Sequence, residues 1–244
     1  MPQNWETIRS STFLISSAKP VDHALAERYR LVTDEIAEAA RSAGRDRADI
    51  TTIVVTKFHP ASLVRDLYEL GVRDVGESRH QEAGPKHAEL GDLDLCWHFV
   101  GQLQSNKALA VAEYSSVIHS VDRLSLVKKF GQLDHDVSVF IELNLTDDPG
   151  RGGVHPADLA ELSEAVLAVP HLSLRGLMAV APQDVEPARA FARVREIQNT
   201  LLAIAPDATD LSMGMSGDFA EAINAGATHL RIGTAITGKR PYPA

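Results

Sequence analysis

The chain has 244 residues, 44% of them hydrophobic and 23% charged, which is the composition of a soluble globular protein with room for one large domain or two small ones. Its net charge of −9 argues against nucleic-acid binding, which requires a basic face, and gives no reason for attraction to an anionic membrane. The single cysteine, Cys96, excludes a disulfide framework, and the spacing of the ten histidines is not that of a metal site.

Residues 1–20 show no clear periodicity, so we expect an N-terminal arm followed by one domain, residues 21–244. The N-terminus lacks the pattern of a signal peptide, and the apolar runs are too short to span a bilayer, so we expect a cytoplasmic protein. Residues 21–43 carry apolar side chains every three to four positions, which predicts a first amphipathic helix.

Strand-like runs and helical stretches then alternate regularly. The predicted strands cover residues 50–56, 73–75, 96–100, 116–119, 138–143, 172–178, 210–211 and 229–232. The predicted helices between them cover residues 62–70, 80–90, 105–112, 122–130, 156–168, 187–204 and 218–225. This alternation predicts an α/β protein with a parallel sheet, and at this length a single (β/α)8 TIM-like barrel is the natural form. A doubly wound open sheet is the alternative, although no glycine-rich dinucleotide fingerprint follows the first strand.

Lys57 is the first candidate functional residue. It closes the β-branched run of residues 51–56, so a buried strand would present an amine at the carboxyl edge of the barrel, where such folds build their sites. Apolar neighbours disfavour the charged ammonium and favour the nucleophilic amine that a Schiff-base lysine requires. A surface lysine that happens to follow a strand is the alternative that this feature alone leaves open.

Two segments after the seventh and eighth predicted strands indicate an anion site. Ser216 precedes a helix, where it would either help to bind an anion or cap the helix. Arg231 lies in the eighth strand and faces inward, and Gly233 and Thr234 follow it, so that the backbone can approach a ligand closely. Barrels bind phosphate groups after strands seven and eight, so the two segments together predict a phosphate site. The residues around Ser216 do not have the full Gly-x-Ser-x-Gly spacing of a hydrolase.

The run of residues 97–107, Trp-His-Phe-Val-Gly-Gln-Leu-Gln-Ser-Asn-Lys, joins an aromatic strand to a polar loop. We expect His98 to be a hydrogen-bonded core histidine rather than a catalyst. Glu77, which follows the second predicted strand, is compatible with a helix cap.

Seven motifs carry a resemblance to a known family. They are residues 55–57, 76–77, 97–107, 120–122, 175–179, 211–216 and 230–234. In order and spacing they resemble the pyridoxal-phosphate homeostasis protein family (YggS/PROSC type), which is related to the barrel domain of alanine racemase. The resemblance extends from about residue 38 to residue 241.

The resemblance implies a fold-type III barrel in which pyridoxal 5′-phosphate (PLP) forms a Schiff base with Lys57. It implies phosphate contacts from Ser216, Gly233 and Thr234, and, by analogy with the racemase barrel, Arg231 facing the pyridine nitrogen. Because arginine stays protonated, that nitrogen would stay unprotonated, and the ring would be a poorer electron sink than one paired with a carboxylate.

Asn144 and Met213 are also expected to line the cofactor. The chain departs from the family pattern at four places, which are Phe-His at 58–59 for a polar pair, Ser-Arg at 78–79 for Asn-Tyr, Arg at 151 for Lys, and Thr at 237 for an aromatic residue. None of them is Lys57, Ser216 or Arg231, so the expected cofactor is unchanged.

Two classes of function remain. The first is a protein that binds, buffers or delivers PLP, with PLP-dependent apo-enzymes as partners and without substantial catalytic activity. The second is an amino-acid racemase, which in that family takes a second acid/base, a tyrosine, from a separate C-terminal domain of the partner subunit. The chain ends at Ala244, and its four tyrosines, Tyr29, Tyr68, Tyr114 and Tyr242, do not follow strands. We therefore expect the homeostasis role and a monomer, with a dimer left open. A phosphate-sugar enzyme would explain the phosphate site but not the match around Lys57.

Overall fold

Eight parallel strands pair in chain order, and the last pairs with the first. The computed structural model describes residues 21–146, 148 and 150–239. The strands are β1 Thr51–Val55, β2 Asp74–Glu77, β3 Cys96–Phe99, β4 Val117–Val121, β5 Val137–Glu142, β6 Leu172–Met178, β7 Asp210–Ser212 and β8 His229–Ile232. The helices are α1 His23–Ser42, α2 Ala61–Glu69, α3 His80–Glu89, α4 Ala108–Ala112, α5 Leu124–Phe130, α6 Leu159–Leu167, α7 Pro187–Ile204, α8 Phe219–Asn224 and α9 Thr234–Thr237.

Closure of the sheet confirms the predicted (β/α)8 barrel. β1 pairs with β2 on one side and with β8 on the other, where Ile53 lies opposite Arg231. This second pairing is incompatible with an open doubly wound sheet, which has two free edges. Because all strands are parallel, their carboxyl ends meet at one mouth, which is where a barrel places its site. The predicted N-terminal arm, residues 1–20, lies outside the described residues.

The apolar core lies mainly between the strands and the surrounding helices. Trp97 and Phe99 of β3 belong to it. His98 lies between them in sequence and therefore faces the barrel interior, since successive side chains of a strand point to opposite sides. There, His119 stacks on Phe140 with ring centroids 4.5 Å apart. The interior thus contains polar rings as well as apolar side chains.

Three strands extend beyond their predicted carboxyl ends. β2 reaches Glu77, β4 reaches Val121 and β7 reaches Ser212, although the sequence predicted that they end at residues 75, 119 and 211. Three of the added residues, Glu77, Ser120 and Ser212, are polar and buried, which makes them resemble loop residues in the sequence. Glu77 is therefore the last residue of a strand and not a helix cap. Within the part of the chain that the structure describes, no helix has both the length and the apolar character needed to cross a bilayer.

Candidate functional site

The predicted site residues follow or end four strands, all at the carboxyl mouth of the barrel. They are Lys57 after β1, Asn144 after β5, Met213 and Ser216 after β7, and Arg231, Gly233 and Thr234 in or after β8. The strand order places β7, β8 and β1 side by side. Lys57, Arg231 and the Ser216 segment are therefore carried by neighbouring strands.

Lys57 lies on a tight turn that directly follows β1. The next residue, Phe58, has a φ of 68°, the only positive value of a non-glycine residue in the described ranges. The Phe58 N–H donates to Glu82 Oε2 at 2.8 Å, and the His59 N–H donates to Thr56 O at 3.1 Å. An aromatic residue in this conformation is strained and persists only where its surroundings hold it. The turn that presents Lys57 is therefore imposed by its neighbours.

A buried ion pair supports the same turn from β2 and α3. Lys86 Nζ lies 2.6 Å from Glu77 Oε1 and donates to Thr56 O at 2.9 Å. The Thr56 hydroxyl also donates to Glu77 Oε1, at 2.7 Å. Burial raises the pKa of Glu77, and the neighbouring Lys86 only partly opposes this rise. We did not predict Lys86 as a site residue, because an isolated lysine in a polar helix gives no sequence signal.

Arg231 is a buried cation held by neutral groups. One terminal nitrogen, Nη1, donates to Ser212 O and to Ser212 Oγ, both at 2.7 Å. The other, Nη2, donates to Ala179 O at 2.9 Å. No ion pair between Arg231 and a carboxylate is found among the described residues. Burial lowers the pKa of Arg231 to about 10, so the guanidinium stays charged at neutral pH.

Ser216 lies against the beginning of α9. The Ala235 N–H donates to Ser216 Oγ at 3.4 Å, so this hydroxyl faces the turn formed by Gly233 and Thr234. The residue before α8 is Asp218, and its carboxylate accepts from the Met215 N–H at 2.6 Å. Ser216 is therefore directed toward the predicted phosphate turn and does not cap α8.

Asn144 and Met213 have a different environment. Asn144 donates to Asp148 O at 2.9 Å and to Arg151 O at 3.2 Å. Its Oδ1 accepts from the backbone N–H and the hydroxyl of Thr146, at 2.9 and 2.7 Å. The amide thus organises the loop after β5. Met213 is fully buried in the core between strands and helices. Their expected contact with a cofactor stays a prediction.

Glu142 ends β5 and was not predicted as a site residue. Burial and the nearby Asp122 raise its pKa to about 7, against the opposing charges of Arg231, Arg151 and Arg123. A carboxylate at the last position of a buried strand is the sequence signal that could have indicated it. The mouth therefore contains a carboxyl group that changes protonation near neutral pH.

A cavity of about 520 Å³ adjoins the loops after β2 and β3. Ser78, Arg79 and Gln102 contribute to its wall. The guanidinium of Arg79 lies 4.7 Å from the centroid of the Phe58 ring, so this cavity borders the Lys57 turn. Ser78 and Arg79, two departures from the family pattern, therefore lie beside the candidate site.

Asp74, Cys96 and His98 place potential metal-ligand atoms within 4.8 Å of one another, near the amino ends of β2 and β3. The sequence spacing did not suggest this group, because its members lie on two strands. Burial and Asp74 raise the pKa of the Cys96 thiol to about 11, and His98 Nε2 lies 3.0 Å from Asp74 Oδ1. The thiol is therefore protonated at neutral pH, and His98 is a buried, hydrogen-bonded histidine, as predicted.

The family model described as "Alanine racemase, N-terminal domain" matches residues 33–241. The chain belongs to the alanine racemase N-terminal domain family. Within this family it is similar to curated relatives named pyridoxal phosphate homeostasis protein. The relative from Pseudomonas aeruginosa is 43% identical over 227 residues, which cover 90% of this chain and 97% of the relative. The relative from Escherichia coli is 38% identical over 228 residues, which cover 89% and 97%.

Two solved structures have the same barrel. PipY of Synechococcus elongatus, with PLP bound, is 37% identical and superposes with a TM-score of 0.76 over 88% of this chain and 100% of PipY. Alanine racemase from Corynebacterium glutamicum has a TM-score of 0.67 at 15% identity, over 89% of this chain and 61% of the racemase. The second similarity shows the fold alone. The first is to a relative that binds PLP.

Proposed function

We propose that this chain binds pyridoxal 5′-phosphate through Lys57 and acts in PLP homeostasis, by binding, buffering or delivering the cofactor. The observation that carries the proposal is the placement of Lys57 at the mouth, on a strained turn that follows β1, the strand that pairs with the β8 strand of the buried cation Arg231. The names of the relatives and the PLP-bound structure of PipY support it. The relatives are named as homeostasis proteins and not as enzymes, in agreement with a role without substantial catalytic activity.

The residues present fit the chemical groups of PLP. When bound, PLP supplies an aldehyde that condenses reversibly with a primary amine, and Lys57 would provide that amine. Arg231 has five N–H donors, and its hydrogen bonds with the described residues use three of them. The remaining donors suit an acceptor such as the pyridine nitrogen.

The phosphate group would be held by Ser216, Gly233 and Thr234. The Ser216 hydroxyl already faces the backbone at the beginning of α9. Hydroxyl and backbone N–H groups are standard phosphate ligands, and phosphate sites in barrels follow strands seven and eight. Delivery to PLP-dependent apo-enzymes, a cytoplasmic location and a monomeric state are further parts of the proposal.

The first experiment compares visible absorbance of the purified protein and its Lys57→Ala variant after incubation with PLP. We expect the wild type to be yellow, to lose the band on borohydride reduction, and to carry a PLP adduct on Lys57 by peptide mass spectrometry. Lys57→Ala should lack both band and adduct. Lys129→Ala, which removes an exposed lysine of α5, is the matched control and should behave like the wild type. A wild type that is colourless after incubation with PLP and removal of the unbound cofactor would refute the cofactor assignment.

A further inference from the structure

A continuous hydrogen-bonded path runs through the barrel interior and ends at Arg231. Asp74 Oδ1 lies 3.0 Å from His98 Nε2, and His98 Nδ1 lies 3.0 Å from His119 Nε2. His119 Nδ1 lies 2.9 Å from Ser212 Oγ, which accepts from Arg231 Nη1 at 2.7 Å. These five side chains come from β2, β3, β4, β7 and β8. Side chains of β2, β3, β4 and β7 therefore form a single polar path that reaches the guanidinium of Arg231 in β8.

The two ends of the path determine the direction of every hydrogen bond in it. Arginine can only donate and an ionised carboxylate can only accept. With both rings neutral, Ser212 must donate to His119 Nδ1, His119 Nε2–H to His98 Nδ1, and His98 Nε2–H to Asp74. Each histidine then carries its proton on Nε2. Reversing the internal bonds would leave His98 Nε2 without a proton beside Asp74, unless His98 became charged.

The environment of the path favours this neutral arrangement. His119 is completely buried and stacks on Phe140 with an interplanar angle of 10°. Burial, with the nearby charge of Arg231, lowers the pKa of His119 well below its usual value. The Asp74 side chain retains 33% of its solvent exposure, whereas that of His98 retains 2%. The negative end of the path therefore reaches solvent, and the positive end is buried.

A buried charge is costly unless its surroundings compensate it. Arg231 has no ion pair with a carboxylate in the described part of the chain, and its three acceptors are two carbonyls and one hydroxyl. Aligned neutral hydrogen bonds polarise one another. They let the Asp74 carboxylate act on Arg231 through three intervening groups, in addition to the charges of Glu142 and Asp218, which act on the guanidinium without such intermediaries.

We propose that Asp74, His98, His119 and Ser212 are positioning residues that fix the Arg231 guanidinium toward the pyridine nitrogen of PLP and transmit the charge of Asp74 to it. The identity of the ligand in this inference rests on the proposed function, whereas the hydrogen-bonded path from Asp74 to Arg231 does not depend on it. Ser212 fixes the guanidinium directly, because it supplies two of its three acceptors. His119 orients the Ser212 hydroxyl, and His98 and Asp74 fix the tautomer of His119.

The first test concerns the protein without PLP. Ring ¹⁵N chemical shifts of His98 and His119, measured near neutral pH with a chelator present, report the tautomer of each ring. We expect both histidines to be neutral and protonated on Nε2. A ring protonated on Nδ1, a charged ring, or rapid exchange between tautomers would overturn the proposal. This outcome does not depend on cofactor binding.

The second test uses the PLP-loaded protein and measures the absorbance maximum and the PLP dissociation constant. Ser212→Ala removes an acceptor of a charged group and should weaken PLP binding by roughly tenfold. Asp74→Asn keeps an acceptor for His98 but removes the charge. It should shift the absorbance maximum in the same direction as Ser212→Ala, and Asp74→Glu should restore the wild-type spectrum.

Asp136→Asn is the matched control. Asp136 precedes β5, and its carboxylate lies 3.0 Å from the exposed His171. Neither residue belongs to the hydrogen-bonded path. This variant should keep the wild-type spectrum and affinity. An Asp74→Asn protein that is also indistinguishable from the wild type would refute the transmission of charge. A wild type that takes up no PLP would refute the proposed function and this role of Arg231. The tautomers of His98 and His119 in the unloaded protein would still show whether the hydrogen-bonded path exists.

Discussion

Glu142 is a residue at the mouth whose charge changes with pH near neutrality. Its pKa is about 7 in the folded protein, against 4.5 for an ordinary glutamate, because of burial and the proximity of Asp122. Between these two values the folded state binds more protons than the unfolded state. The contribution of Glu142 to stability is therefore complete below pH 4.5 and is lost as the pH rises through 7.

Glu142→Gln should remove this pH dependence. Glutamine mimics the protonated carboxyl, so the free energy of unfolding of the variant should increase relative to wild type as the pH rises from 5 to 8. The pKa shift of Glu142 sets an upper limit of about 3 kcal/mol on this increase in the free energy of unfolding. Urea denaturation at several pH values measures it. Glu161→Gln, at an exposed position of α6, is the control and should follow the wild type. A constant difference between Glu142→Gln and wild type would contradict the raised pKa.

The sequence identified the residues whose order along the chain places them at the mouth of the barrel. Lys57 follows a β-branched strand, and Ser216, Gly233 and Thr234 follow the last two strands, so order along the chain is enough to place them at the mouth. Glu142 was missed because its environment is created by Asp122 and three arginines, which fold against it from other segments. A pKa that depends on such neighbours cannot be predicted from a single position.

At the scale of elements, the Lys57 turn is held by β2 and α3. The helix contributes Glu82 to the Phe58 N–H and Lys86 to the Thr56 carbonyl, and the strand contributes Glu77 as the partner of Lys86. Removing one member of a buried ion pair leaves the other charge uncompensated, which costs about 3–5 kcal/mol.

Lys86→Met should therefore destabilise the protein by about 3–5 kcal/mol and reduce formation of the PLP adduct on Lys57. Urea denaturation and borohydride trapping measure the two effects. The double variant Glu77→Gln with Lys86→Met should recover part of the lost stability, since no charge is left buried. Lys129→Met, in the exposed last turn of α5, is the matched control and should change neither quantity. Equal loss of stability in the single and double variants would contradict the role of the ion pair.

The sequence predicted all eight strands but placed the ends of β2, β4 and β7 too early. Hydrophobic periodicity detects the part of a strand that packs against helices. Glu77 and Ser212 lie at the mouth, where a strand can end in buried polar residues because Lys86 donates to Glu77 Oε1 and Arg231 donates to Ser212 Oγ. Such partners come from distant segments and leave no periodic signal. The closed barrel was predictable because it follows from the number and order of the elements.

At the scale of the whole molecule, racemisation would require an acid/base on each face of the substrate, and the proposed cofactor lysine, Lys57, could serve only one of them. Of the tyrosines that the structure describes, Tyr29 lies in α1, Tyr68 in α2, and Tyr114 between α4 and β4. None follows a strand at the mouth. Burial and Glu77 also raise the pKa of Tyr114, so its phenol stays protonated at neutral pH.

We therefore expect the PLP-loaded protein to show no substantial racemisation of alanine or serine. Chiral chromatography after prolonged incubation with each L-amino acid measures the D-enantiomer, with an authentic alanine racemase as the positive control. Lys57→Ala sets the background, because it removes the amine that the proposed cofactor linkage requires. Racemisation above this background would contradict the prediction. Its loss in Glu142→Gln would then identify the second acid/base, since Glu142 is a carboxyl group at the mouth that exchanges a proton near pH 7.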